Sequence, residues 1–335
     1  MSDLVVLGDL MIDFTCVGKN EAGILLFERN PGGAPINVAS QLVNLGGSAG
    51  VICTVGKDEH GEYLRDLVRD MGIDITNLRF SDTMGTRCLF VYFKDGNDRY
   101  FTDYKSPRSD LEIYTGDLDI NQIKNSKVFL YTSLSTIKDK PIYESTKFLL
   151  EAAKSNGVKI AYDPNFRFPY KNPEQKQMVI SAIRGAHILK LTIEELDYFL
   201  GTADIFRATE ELLAGNAEII AVTMGKNGCF LRNKNAFVYQ PAYDVEVLDT
   251  TGAGDSFMGA LIYKLTRGNL CVSELGESAL NHTAEFCNAC ASVSTTRRGS
   301  LLVMPTYEQA LLAMKKTAKL DIKKPSWIIP GMRSN

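Results

Sequence analysis

Residues 248–260 read LDTTGAGDSFMGA, and the rest of the chain is organised around them. An apolar-alternating run, Tyr243 to Leu248, leads in. Gly252, Ala253 and Gly254 follow as three small residues, then the carboxylate of Asp255. Phe257, Met258, Ala260 and Leu261 then recur at helical spacing. The pattern predicts a loop feeding a helix N-terminus, where unpaired N–H groups and the positive end of the dipole attract anions. Glycine lets the backbone approach a ligand with no Cβ in the way. The pairing of such a loop with an Asp suits phosphoryl transfer: N–H groups stabilise charge on the moving phosphate, and the carboxylate takes a proton from an attacking hydroxyl. The same residues also fit a plain helix start whose first turn carries an Asp because the dipole favours it. Two threonines and three small residues ahead of one Asp exceed what a cap requires.

With 335 residues, 45% hydrophobic and 23% charged, the chain can bury a large core, as one α/β domain or a domain with a small appendage. The net charge of −3, with no long run of one sign, argues against nucleic acid or an anionic membrane surface as a partner. The opening MSDLVVLGDLMID lacks a basic n-region and carries acids within its apolar stretch, unlike a signal peptide, and no stretch reaches the length of a membrane span. Seven scattered cysteines fit a reduced, cytoplasmic setting. Cys287 and Cys290 have redox or zinc spacing, but they lack a second pair and fall in a helical pattern, so buried thiols are expected. His60, His187 and His282 do not cluster, which argues against a zinc enzyme or a histidine-based triad.

Leu4 to Leu7 reads as a short core strand ending in Gly8-Asp9, with Asp13 following; carboxylates just past core strands are ligand candidates in open α/β sheets. Residues 14–31 are short strand-like pieces. The loop PGGAPIN (31–37) precedes a helical run from Ile36 to Leu45, closed by Gly46-Gly47. In its first turn Asn37 is placed to cap the helix or to hold a ligand hydroxyl, and by pattern alone capping is expected. Strands at 50–55, 127–132, 159–162, 186–191 and 218–224, the last followed by a return at 229–232, alternate with helices and predict a doubly wound, mostly parallel sheet. Arg87–Phe93 and Asp98–Tyr104 flank the turn signal Lys94-Asp95-Gly96-Asn97. With 14–31 they predict a small antiparallel sheet outside the main one, a natural lid. The tail 323–335 is expected to fray.

Several of these stretches together resemble the ribokinase-like (PfkB) carbohydrate kinases. PGGAPINVASQLVNLG (31–46) is similar to that family's N-terminal signature and DTTGAGDSFMGA (249–260) to its C-terminal one, in the same order and at a similar separation. The likeness runs from about residue 4 to 304. It implies a ribokinase-like three-layer α/β fold over 1–335, with a doubly wound central sheet and a small β lid from about 14–31 and 86–104. It implies Asp255 as catalytic base, with Gly252, Ala253 and Gly254 as an anion hole. It further implies Asp13, Gly33 and Asn37 on sugar hydroxyls, with Lys105 and Arg167 also on the sugar. Asn165, Lys190, Thr223, Gly225 and Gly228 fall with the nucleotide, Glu195 acts indirectly on magnesium, and Asp249 and Thr251 hold a monovalent cation, usually potassium. Hard oxygen donors without a thiolate or imidazole cluster are consistent with this. No Walker P-loop (GxxxxGK[ST]) occurs, so the Gly-Ala-Gly-Asp loop must do the anion work.

Within that family GDLMIDF, PGGAPINVA, DPNFR (163–167) and DTTGAGD look most like the fructokinase branch, implying ATP-dependent phosphorylation of fructose at O6. Two departures stand out. Lys105 occupies a position where arginine is usual, with Arg108 and Ser109 following, and Thr192 leads the stretch TIEE where the broader family often has Asn. Lysine offers a point charge where arginine offers a planar fork. A substrate carboxylate, as in 2-keto-3-deoxygluconate, would prefer the fork, which Arg108 or Arg167 would have to supply. A nucleoside kinase, and a catalytically silent sugar or nucleotide sensor, are the remaining alternatives. Leu25, Phe27, Phe90 and Tyr92 alternate in a way that suits either a lid-to-lid homodimer or packing within the subunit.

Overall fold

The computed structural model describes residues 1–93, 99–102, 107–166 and 172–322. The turn signal at 94–97 and the tail at 323–335 lie outside these residues. Two sheets organise the chain. Among the described residues the main sheet has strands β1 (Ser2–Leu7), β4 (Ala49–Gly56), β5 (Asp74–Ser81), β8 (Ser126–Thr132), β9 (Lys159–Asp163), β10 (Ile188–Thr192), β11 (Ile219–Thr223), β12 (Cys229–Asn233) and β13 (Phe237–Gln240). Their order is β13-β12-β11-β10-β9-β8-β1-β4-β5. All neighbours are parallel except β11–β12 and β12–β13.

Among the described residues ten α-helices accompany the strands: α1 (Ala34–Asn44), α2 (Glu59–Asp70), α3 (Asn121–Lys124), α4 (Pro141–Ser155), α5 (Pro173–Gly185), α6 (Ile193–Leu200), α7 (Ile205–Leu213), α8 (Ala253–Arg267), α9 (Glu277–Ser294) and α10 (Tyr307–Lys316). They cover both faces of the sheet, and β1 shows how. Leu4 and Val6 enter the core shared with α1, α8 and α9, while Val5 and Leu7 enter the core shared with α4, α5 and α7. A strand covered on both faces reads as an unbroken apolar run rather than an alternating one, and LVVL is such a run. Helix α8 packs between α1 and α9.

The second sheet consists of β2 (Met11–Lys19), β3 (Leu25–Gly32), β6 (Cys88–Phe93) and β7 (Arg99–Thr102), in the order β3-β2-β6-β7. Its placement follows expectation, but it is mixed rather than antiparallel: β2 and β6 run parallel. The reason is the route of the chain. β2 leaves the main sheet directly after β1, and β6 leaves it after β5, which runs parallel to β1 through β4. Two strands departing from the same end of a parallel sheet run the same way; β3 and β7 then pair back antiparallel.

Two strands escaped the pattern reading. β5 (DITNLRFS) and β13 (FVYQ) lie at the two edges of the main sheet and carry polar residues that blur the period. Conversely, the alternating run Tyr243–Leu248 is not a strand. It makes one isolated bridge, Tyr243 to Lys319. Its backbone is satisfied at the end of α9 instead: Tyr243 N–H donates to Ser292 Oγ, and Leu248 and Asp249 N–H donate to Thr295 O.

Candidate active site

Parallel strands of an open α/β sheet present ligand groups at their carboxyl ends. Here β1 delivers Asp9, β9 delivers Asp163 and Asn165, β10 delivers Lys190 and Thr192, and β11 delivers Thr223. Asp9 stands just past β1, as read from the sequence; Asp13, which follows it, lies inside β2 on the small sheet.

Helix α8 starts opposite these strand ends. Gly252 is its N-cap, with φ 76°, a left-handed conformation; a Cβ there would lie 2.9 Å from Ser300 Cβ. No side chain caps this terminus; its first N–H groups have no acceptor within the helix, and that of Ala253 donates to Thr250 O at 3.3 Å. Asp255 follows in the first turn, 3% exposed. Its Oδ2 accepts a hydrogen bond from Asn37 Nδ2 at 2.8 Å, and its Oδ1 accepts one from Asn165 Nδ2 at 3.0 Å. The expected capping role of Asn37 is therefore corrected. The terminus of α1 has proline in its first turn and no side-chain cap, and the Asn37 amide reaches across to α8. Asn37 Oδ1 is buried without a hydrogen-bond partner, an acceptor facing the same region.

Beneath the glycine loop lies a buried charge cluster. Lys190 Nζ is 2.7 Å from Asp163 Oδ2, and a Cβ placed on Gly254 would lie 3.1 Å from that ammonium. Burial disfavours its charge, but Asp163, Glu195 and Asp255 outweigh burial and raise the lysine pKa above its ordinary value. Glu195 is buried as well; Oε1 accepts from Phe166 N–H at 2.8 Å and Oε2 from Thr192 N–H at 2.7 Å. Burial, against the pull of Lys190, pushes its carboxyl up to about 7. Thr192 is the N-cap of α6, and with Glu195 it forms a reciprocal capping box. Threonine at this departure from the family pattern thus fixes the position of the glutamate. A pocket of about 300 Å³ opens above the cluster, lined by Asn165, Lys190, Glu195, Gly252, Gly254 and Asp255, with Thr192, Thr250 and Thr251 at its side.

Ser300 links the loop ahead of α1 to the start of α8. A Cβ on Gly32 would come within 2.9 Å of Asp13 Oδ2 and 3.3 Å of Ser300 Oγ, and Ser300 is also the neighbour of Gly252. Gly33 takes φ 125°, and a Cβ there would collide with the Asp9 carbonyl oxygen at 2.1 Å. Asp249 organises the loop ahead of α8. Its Oδ1 accepts from Thr251 N–H and Oγ1, at 2.8 and 2.6 Å, and its Oδ2 from Gly299 N–H at 3.0 Å.

Other expected residues stand further off. Thr223 is paired in register with Thr192, beside the pocket. Gly225 and Gly228 form the β11–β12 turn and do not line the pocket; Gly228 is glycine because a Cβ would meet Gln240 O at 2.0 Å. Lys105 and Arg167 lie outside the described residues. Arg108, a candidate fork for a substrate carboxylate, closes on Asp110 instead, with Nε and Nη2 each 2.9 Å from its oxygens. Sequence reasoning missed Ser300 and Thr250 as residues near the site. Asp163 was legible as one of the polar residues at a strand end, where it opens the DPNFR motif, though without a role of its own; Ser300 carried no signal.

The chain was compared with known proteins. The model of the pfkB family carbohydrate kinases matches residues 1–307. A probable fructokinase-2 of Arabidopsis thaliana is 33% identical over 320 residues, covering 93% of this chain and 95% of the relative. Fructokinase-2 of Solanum lycopersicum is 31% identical, covering 93% and 96%. Among solved structures, a fructokinase from Xylella fastidiosa with bound ATP superposes with a TM-score of 0.84 at 24% identity, over 94% of this chain and 99% of that one. A fructokinase double mutant from Vibrio cholerae O395, in its fructose-, ADP- and potassium-bound form, superposes with a TM-score of 0.78 at 23% identity, over 93% and 98%. At these identities the structural likeness speaks to the fold.

Proposed function

The chain belongs to the pfkB family of carbohydrate kinases, and from that premise we propose that it is an ATP-dependent fructokinase, moving the γ-phosphate of Mg-ATP to O6 of D-fructose with Asp255 as general base. The observation that carries this reading is the Asp255 carboxylate, buried in the first turn of an uncapped helix and oriented by two amides from opposite sides. A base must be held within reach of the proton it takes, and a charge-stabilising site must be built before the charge appears. One turn of helix supplies a held carboxylate beside N–H groups that have no acceptor within the helix, which supports the reading.

In this mechanism the sugar lies between Asp13, Gly33 and Asn37 on one side and Asp255 on the other. The free Asn37 Oδ1 accepts a sugar hydroxyl. Asp255 takes the proton of the attacking hydroxyl, while the N–H groups of 252–254 and the Lys190 ammonium under Gly254 stabilise the transferring phosphoryl group. Thr223, Gly225 and Gly228 serve the rest of the nucleotide. The pocket offers oxygen donors from Glu195, Thr192 and Thr250 and no thiol or imidazole, the donor chemistry magnesium takes. Magnesium carried with the nucleotide would neutralise phosphate charge, Glu195 reaching it through water. The Asp249–Thr251 loop is the candidate seat of a potassium ion. Its carboxylate is spent on N–H and hydroxyl donors, so backbone oxygens would serve as ligands.

The small sheet acts as the lid and as the interface of a homodimer. Exposed Ile24, Leu25 and Leu26 at its tip support this. Phe27, by contrast, packs edge-on against Phe90 and Tyr92, so those aromatics serve the sheet itself. A cytoplasmic location is part of the same reading, supported by seven free cysteines.

The test is ADP release with Mg-ATP and potassium across fructose, tagatose, glucose, ribose, 2-keto-3-deoxygluconate and adenosine. Fructose is expected to give the highest kcat/KM. A preference for the keto acid or for adenosine would overturn the fructose reading; the engagement of Arg108 by Asp110 weighs against the keto acid.

A further inference from the structure

We propose that Asn165 is a positioning residue for the general base, fixing Asp255 through Oδ1 so that its other lone pairs face the attacking hydroxyl; this rests on the kinase reading above. Four observations converge. Asn165 Nδ2 donates to Asp255 Oδ1 at 3.0 Å. Asn165 adopts φ 45°, a left-handed conformation that costs a non-glycine residue energy and persists only where its surroundings impose it. The imposing contact is present: Asn165 N–H donates to Asp163 Oδ1 at 3.0 Å, and the other Asp163 oxygen is anchored on Lys190. The next residue is pinned too, Phe166 N–H donating to Glu195 Oε1 at 2.8 Å. Backbone strain held from both sides aims one amide at one carboxylate oxygen, while Asn37 holds the other.

The division of labour between the two amides follows from what each has left. Asn37 keeps a buried acceptor without a partner and sits on the helix that follows the sugar loop, so its contact with Asp255 is exchangeable for a sugar hydroxyl. Asn165 is fixed at the end of β9 by the Asp163–Lys190 pair, so its contact with Asp255 persists as substrate arrives. A carboxylate held by one permanent donor keeps a single orientation while the second donor trades partners.

The donated hydrogen bond also favours the ionised carboxylate. Among the described residues the charged groups near Asp255 are Lys190 on β10 and, grouped with that lysine, Asp163 on β9 and Glu195 on α6. Helix α1 contributes the neutral Asn37, and Asp13 lies toward the small sheet, beside Gly32. Deleting the Asn165 amide removes stabilisation of the charged form, so the pKa of the base rises and the acid limb of the kcat/KM profile moves to higher pH.

The experiment compares wild type with Asn165→Gly, which adopts the left-handed backbone freely, and Asn165→Ala, which does not. Each is run with the sugar that wild type turns over best, so a different sugar would overturn the fructose reading and leave this test intact. Loss of one hydrogen bond to a charged group predicts kcat lower by about 10–100-fold in both variants. The KM values for sugar and ATP are expected to stay within about twofold, because the lost contact is with the base and not with either substrate. The acid limb is expected to shift upward. Near-wild-type kcat in Asn165→Gly would overturn the proposal, because backbone shape alone would then suffice. So would an unchanged kcat with a raised KM for ATP, which would make Asn165 a nucleotide contact.

Discussion

Two buried ionic clusters flank the site, and they are built to opposite rules. Lys190, Asp163 and Glu195, on β10, β9 and α6, set one ammonium among carboxylates, with Asp255 near enough to add its field. Arg87, Asp9, Asp110 and Arg108 gather where the chain crosses between the two sheets, and there two guanidiniums meet two carboxylates. Asp110 is fully buried between Arg87 and the closed fork of Arg108. In sheet order, β8 and β9 separate β1 from β10. Among the described residues the second cluster pairs two guanidiniums with two carboxylates, and it ties Asp9, after β1, to the segment entering β6 and to the segment that follows β7. Among the described residues the first sets one ammonium among carboxyl groups, lines the pocket through Lys190 and Glu195, and carries the perturbed carboxyl of Glu195. Imbalance of buried charge is costly for a fold unless a ligand completes it, which is why such groups gather at functional sites.

The difference can be broken by substitution. The largest effect is expected at Asp255, the acid that both amides serve. Asp255→Asn should retain the fold by circular dichroism while kcat falls by roughly 10²–10⁴-fold, the contribution of a general base. Turnover close to wild type would remove Asp255 from the chemistry.

Next come matched lesions in the two clusters. Lys190→Met should lower kcat by about 10²–10³-fold, as loss of one preorganised charge-stabilising donor does. Asp110→Asn should instead cost stability, about 3–5 kcal/mol for breaking a buried pair, with kcat within about tenfold of wild type. Chemical denaturation and steady-state kinetics on the same two proteins separate the cases. Equal kinetic damage in both would erase the distinction drawn above.

A smaller effect should appear in the pH dependence of stability. The Glu195 carboxyl is raised to about 7 in the folded chain from an ordinary 4.5. Between those values the folded state holds a proton that the unfolded state has lost, so stability falls as pH rises through that window. Glu195→Gln should lack this component, and urea denaturation at pH 5 and pH 7.5 measures it. A wild-type slope that persists unchanged in Glu195→Gln would assign the slope to other groups. The smallest effect is expected from Thr192→Ala, which removes the cap of α6 and half of the box that holds Glu195. It should cost about 1 kcal/mol, read as a lowered denaturation midpoint.

How much of this was legible in the chain depends on the range of the interaction. Asp255 and the glycines before it were readable because a loop entering a helix is local: the small residues, the acid and the apolar period stand side by side in 248–260. The core strands LVVL and VICTV were readable because burial on both faces leaves continuous apolar runs. Residues whose role depends on distant partners were misread or missed. Asn37 looked like a cap because its local setting is a first turn, yet its partner is 218 positions away. Arg108 is a different case: its partner Asp110 is only two residues on, and what the sequence does not show is that Asp110 is buried and engages its guanidinium. Ser300 has no motif of its own and matters because it packs between Gly32 and Gly252.

The sequence by itself determined the alternation of strand and helix, the glycine-rich turn that enters α8 and the acid in that helix's first turn, since each follows from neighbours in the chain. Tertiary structure alone decided that the small sheet is mixed, that a lysine on β10 lies under the glycine of another element, and that two asparagines share one carboxylate. Those outcomes depend on which strand ends meet and on which charges lose water together, and neither quantity is a property of any local stretch of residues.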